Sequence, residues 1–221
     1  DPPPLLFVSG DVKMLRSPSI AIVGARNASS HSRRFAEEIA GQLGEAGYTI
    51  VSGLARGIDA AAHNGALKTG TMAAIAGGLD VVYPPEHEEL QRRIAATGAV
   101  VSEHPPGTRP TARHFPARNR LISGLARGVL VVEAALKSGC LITARLALEQ
   151  GRDVFAVPGS PRDPRCRGTN DLIRQGAVLT ESAADIVEAV TLQVLKPQTR
   201  EPAPNLLQPP NLPQPVEKTH F

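Results

Sequence analysis

IAIVGARNASSHS, residues 20–32, is the stretch on which the fold turns. Residues 20–23 are apolar and mostly β-branched, the pattern of a strand covered on both faces in a parallel sheet. The run stops at Gly24, and Arg26 and the small polar residues Asn27, Ser29 and Ser30 follow. A helix is expected from near Ser32, with Phe35, Ile39 and Leu43 on one apolar stripe. A strand, a glycine turn and a helix start together present unpaired backbone N–H groups to an anion. Arg26 adds a permanent charge suited to phosphate.

The next unit repeats the pattern. VSGLARGIDAAAH, residues 51–63, follows a strand expected at 48–51, turns at Ser52 and Gly53, carries Arg56, and enters a helix near Ile58. Asp59 falls in that helix's first turn, where a carboxylate suits the macrodipole, so it reads as structural. Two consecutive βα turns at the carboxyl edge of an open sheet mark the place where such sheets bind ligands.

Working outward, 221 residues suffice for one large domain. Aromatic residues make up 3% and tryptophan is absent, so the core must rest on Ala, Val, Leu and Ile. The net charge of +3 does not by itself announce a polyanion partner. Cys140 and Cys166 have no metal-like spacing and point to a reducing compartment, so a cytoplasmic location is expected. No stretch reads as a signal peptide or a membrane span, and neither a metal nor a cofactor is expected.

Along the chain, residues 1–19 read as an N-terminal extension with an edge strand, and 20–195 as one domain. Further strands are expected at 71–76, 99–101, 129–133, 153–157 and 177–179, with a short apolar run at 81–83 closed by Pro84 and Pro85. Helices are expected at 86–96, 119–126, 138–151, 169–175 and 182–194. From 196 to 221 the chain is proline-rich without apolar periodicity, a linker or disordered tail. The alternation gives an α/β fold with a mostly parallel sheet and helices on both faces.

One segment is unlike the rest. Between His104 and Gly128 there is no acidic residue, while Arg109, Arg113, Arg118, Arg120 and Arg127 all fall there. Phe115 within it is either a base-stacking platform or a core anchor. Arg118 and Arg120 either face a groove or pair with Glu103 or Glu133. Those two glutamates end apolar strands; they either form an acid/base pair or cap turns and orient arginines. A third small-residue turn and helix start, Ser138, Gly139 and Thr143, completes the set. The dinucleotide fingerprint, the Walker A lysine and the nucleophile elbow are all missing.

IVGARNAS, SGLARGIDAAAH, GGLDVVYPPEH, SEHPPG, HFPARNRLISGLA, VLVVEAALKSGCLITARLALEQGRDVFAVPG and GTNDLIRQGA, in this order, resemble the DprA/Smf family of DNA-processing proteins of natural transformation. Ala25 and Cys140 stand where serine is common in that pattern; both are small, so the turns survive. The resemblance implies an extended Rossmann core that binds single-stranded DNA without turnover, forms a homodimer and loads a RecA-type recombinase.

The expected DNA-binding residues are then Gly24, Arg26, Ser52, Gly53, Arg56, Arg109, Arg113, Phe115, Arg118, Asn119, Arg120, Ser138, Gly139 and Thr143. Leu148, Ile173 and Leu179 are candidates for the dimer face. The alternatives are a phosphoribohydrolase of the lysine-decarboxylase-like type, whose P-G-G-x-G-T loop is replaced here by Pro158-Gly159-Ser160-Pro161, and a mononucleotide-binding carrier module.

Overall fold

The computed structural model describes residues 2–195; the proline-rich segment from 196 onward lies outside them. The strands are β1 (Phe7–Gly10), β2 (Ser19–Val23), β3 (Thr49–Ser52), β4 (Thr71–Ala74), β5 (Ala99–Ser102), β6 (Gly128–Val131), β7 (Asp153–Ala156) and β8 (Val178–Leu179). The helices are α1 (Ser30–Glu45), α2 (Ile58–Ala66), α3 (Glu88–Thr97), α4 (His114–Leu125), α5 (Cys140–Glu149), α6 (Arg167–Arg174) and α7 (Ala183–Leu195).

All eight strands form one sheet in the order β1-β5-β4-β3-β2-β6-β7-β8. Every pairing is parallel except that of β1 with β5. The segment before residue 20 therefore supplies an edge strand to the same sheet. β2 lies at the centre, in register with β3 on one side (Ile20 opposite Ile50) and β6 on the other (Ile20 opposite Gly128).

The period-2 alternation of β2 explains the layers. Ile20 and Ile22, with Ile50, Leu130 and Phe155, pack against α1, α2 and α7. Ala21 and Val23, with Val51, Val129 and Val131, pack against α4 and α5. Helix α3 covers β4 and β5 through Leu90 and Ile94. Every residue of β2 is buried, as the unbroken apolar run requires.

The short apolar run at 81–83 follows a turn in which Val81 N–H donates to the Gly78 carbonyl at 3.0 Å. One local reading needs correction. Helix α4 begins at His114, five residues before the expected 119. Pro116 sits in its first turn, where its missing N–H has no intrahelical acceptor to lose.

Candidate nucleic-acid interface

The chain runs outward from β2 through β3, β4 and β5, then returns to place β6 on the other side of β2. That reversal parts the loops after β2 and β6, and ligands bind in the resulting crevice in open α/β sheets. A cleft of about 930 Å³ lies there. Gly24, Arg26 and Asn27 wall it after β2, Ser138, Gly139 and Thr143 at the start of α5, and Phe115, Arg118 and Asn119 from α4.

Gly24 is required by close approach: a Cβ there would lie 2.6 Å from the Ile58 side chain. The expectation that the first two turns hold an external anion meets a different arrangement. At the first, Glu133 accepts from Ser29 N–H (3.2 Å), Ser29 Oγ (2.8 Å) and Ser32 Oγ (2.7 Å). At the second, Asp59 accepts from the N–H groups of Gly53 (3.1 Å) and Ala55 (3.3 Å). Internal carboxylates thus occupy donors that the sequence offered to phosphate. The third turn differs: no side chain caps the N-terminus of α5, and the space beside Gly139 is open.

Arg118 is buried beneath the cleft rather than free in it. It is 5% exposed, and its Nη1 donates to the carbonyls of Gly53 and Ala74. Gly53 makes room for it, since a Cβ there would meet Arg118 Nη1 at 2.5 Å and Asp59 Oδ2 at 2.6 Å. Burial pulls the Arg118 pKa down to about 10, against the favourable charge of Asp59. Burial likewise raises Asp59 above the usual carboxylate range, with Arg118 opposing the shift. Arg118 therefore stitches β3 to β4 beneath the cleft, and its Nε has no partner among the described residues.

Above this floor, the exposed Arg26 guanidinium stacks 5.2 Å from the centre of the Phe115 ring. Phe115 is half-buried and meets Tyr83 at 5.4 Å between ring centres. Tyr83 is 49% exposed, so the three side chains form a cationic and aromatic step at the cleft's rim. The sequence reading missed Tyr83, which it placed in a short apolar run. The two prolines behind it were the signal that an aromatic was being left in a loop.

The other expected residues are dispersed. Ser52 is buried, and its hydroxyl donates to the Ile22 carbonyl at 2.6 Å, so it faces the sheet rather than the cleft. Arg120 forms an ion pair with Glu103 and does not line the cleft. Arg109 and Arg113 are exposed outside its lining, on the segment that contributes Pro110 and Ala112. Arg56 is exposed, bonded to Glu86, and lines a separate groove on the α2 side. Glu103 and Glu133 do not meet; one holds Arg120 and the other caps α1, which removes the acid/base pair.

Burial pushes the Cys140 thiol up to about 12, so it stays protonated at neutral pH. Among the described residues, no cluster of three His, Cys, Asp or Glu could hold a metal, and no helix is long and apolar enough to cross a membrane.

Comparison with known proteins places this architecture. The family model described as DNA recombination-mediator protein A matches residues 1–191. The DNA processing protein DprA of Bacillus subtilis is 47% identical over 191 residues, covering 85% of this chain and 64% of that protein. The X-ray structure of DprA from Streptococcus pneumoniae superposes with a TM-score of 0.80 at 46% identity, covering 83% of this chain and 65% of that one. A Helicobacter pylori DNA processing protein A, described for its single-stranded DNA binding mode, superposes at 0.77 with 33% identity and covers 88% of both chains. The chain spans about two thirds of the length of the Bacillus and Streptococcus proteins it matches. Molybdenum cofactor carrier proteins, such as that of Chlamydomonas reinhardtii (TM-score 0.55, 18% identity, 82% of this chain and 100% of that one), share the fold alone. By sequence over residues 1–191 and by its sheet, the chain belongs to the DNA recombination-mediator protein A family, that of the DprA and Smf proteins.

Proposed function

We propose that the switch-point cleft binds single-stranded DNA without turning it over, and that the protein works in the cytoplasm as a homodimer delivering the strand to a RecA-type recombinase. The observation that carries the binding reading is the step of Arg26, Phe115 and Tyr83 over a cleft whose lining carboxylate, Asp59, is already engaged. A guanidinium for phosphate beside aromatic faces for bases is the combination that sequence-tolerant single-strand binders use. The engagement of Asp59 and Glu133, with a protonated Cys140, takes up the carboxylates and the thiol at the switch point and supports binding rather than hydrolysis.

The homodimer is supported by β8, an edge strand with Leu179 46% exposed, and by the exposed Leu148 on α5 and half-buried Ile173 on α6. The recombinase rests on family membership.

The test is fluorescence anisotropy with labelled oligo-dT beside calorimetry with mononucleotides. Wild type should bind the oligomer and not the mononucleotide. Arg26→Ala should weaken binding alike for all base sequences and make the slope of log K against log salt shallower by about 0.7, one single-strand phosphate contact. An Arg26→Ala protein that is folded and binds oligo-dT like wild type would sink the assignment.

A further inference from the structure

A second depression of about 650 Å³ lies between α1 and α2. Four arginines line it: Arg26, Arg33, Arg34 and Arg56. Arg26 also lines the switch-point cleft, so the two depressions meet at that side chain. We propose that this groove carries the phosphate backbone of the same single strand after it leaves the cleft, with Arg33 and Arg34 as its phosphate-binding residues. The proposal rests on the single-strand reading of the cleft and extends it to a second stretch.

The charge balance supports it. Against the four guanidinium groups stand two carboxylates, Glu37 in the lining and Glu86 bonded to Arg56. Arg33 and Arg34 are exposed and form no ion pair with any described residue. They stand near the start of α1, whose first turn holds no acidic residue. Cations there oppose the helix macrodipole, so the position gives the isolated helix nothing. A polyanion lying across them reverses that balance.

The floor selects the class of partner. Gly57, Ala60 and Ala61 are small and leave a shallow, even surface. No Trp, Tyr, Phe or large aliphatic side chain stands in the lining, whose one ring is His87, so the groove lacks the apolar pocket that anchors a protein partner. Ser30 and Asn64 add neutral hydrogen-bonding groups of the kind that accompany arginine on phosphates.

The experiment compares wild type, Arg33→Gln/Arg34→Gln and Arg26→Ala on oligo-dT of about four and about sixteen nucleotides, bracketing the usual reach of single-strand sites. Affinities are read by anisotropy at several salt concentrations, and circular dichroism checks the fold. The double variant should bind the short oligomer like wild type and the long one more weakly. Its salt slope on the long oligomer should be shallower by about 1.4, two single-strand phosphate contacts. Arg26→Ala should lose on both lengths.

A double variant that binds the long oligomer with wild-type affinity and slope overturns the groove and leaves the cleft reading standing. Equal loss on both lengths overturns it as a separate stretch. A double variant unimpaired on DNA but unable to bind an acidic polypeptide such as polyglutamate, which wild type binds, assigns the groove to protein and overturns it too. A wild type that binds neither oligomer removes the cleft reading and this one with it.

Discussion

Glu133 reaches from the end of β6 to the start of α1 and accepts a hydrogen bond from the Ser29 hydroxyl at 2.8 Å. It also takes the Ser29 N–H at 3.2 Å and the Ser32 hydroxyl at 2.7 Å. This single carboxylate joins the two halves of the sheet at their switch point. It also fills the positive end of α1, which an external phosphate would otherwise use.

Removing it should therefore be a stability event. Glu133→Ala leaves three donors without their acceptor and should cost about 1–3 kcal/mol in urea unfolding. Glu133→Gln keeps one acceptor oxygen and should cost less. Neither wild type nor variant should release base or phosphate from nucleoside monophosphates, ATP or labelled DNA. Product formed by wild type and lost in Glu133→Gln would instead mark Glu133 as a catalytic base.

Arg118 and Arg26 should separate cleanly. Arg118→Met leaves the Gly53 and Ala74 carbonyls without their donor and Asp59 without its nearby positive charge, and should destabilise by about 3–5 kcal/mol. Arg26 is exposed, so Arg26→Ala should stay within about 0.5 kcal/mol of wild type. Chemical denaturation of the two variants checks this; equal stabilities would mean that Arg118 is not the stitch between β3 and β4.

The contrast also tells what the sequence made legible. The apolar run at 20–23 reads as a strand buried on both faces, and β2 is that strand at the centre of the sheet. The fate of the turns was hidden because Glu133 acts on Ser29 from 104 residues away, and no local pattern announces such a partner. Arg118 did leave a local signal. With Leu121, Ile122 and Leu125 it forms an i, i+3, i+4, i+7 set, which puts it on the inward face of α4. Reading the helix from 119 instead of His114 cut Arg118 out of that set.

His63 gives a pH dependence. Its ring is fully buried beside Thr71, with Nδ1 2.7 Å from the hydroxyl, and burial lowers its pKa to about 3, helped by the charges of His87 and Arg118. The unfolded chain takes up a proton near pH 6.5, which the folded one refuses until about 3. Stability must then fall as pH drops through that window, by up to about 1.4 kcal/mol per unit from this group. Asp59, raised by burial, acts in the opposite sense at pH above its ordinary value, so the total slope there is smaller. Comparing urea unfolding of wild type and His63→Gln between pH 7 and 4 isolates the histidine. The wild type should lose more stability on acidification than the variant, and parallel curves would contradict the assignment.

The dimer prediction turns on β8. It has two residues, pairs with β7 alone among the described strands, and exposes Val178 by 37% and Leu179 by 46%. An apolar edge with open backbone groups is a template for another strand unless something covers it. A second copy of the chain would bury these side chains and bring a second cleft into the same assembly. Leu179→Glu is the sharper probe, because the side chain is already half in solvent and the protomer should fold, whereas half-buried Ile173 risks its own core. Sedimentation at micromolar protein should give a dimer for wild type and a folded monomer for Leu179→Glu. The monomer should keep wild-type affinity for a short oligomer and lose at least about tenfold on a long one, since the second cleft no longer raises the effective concentration. A wild type that sediments as a monomer at every concentration, with the same long-strand affinity as Leu179→Glu, would remove both the dimer and the avidity argument built on it.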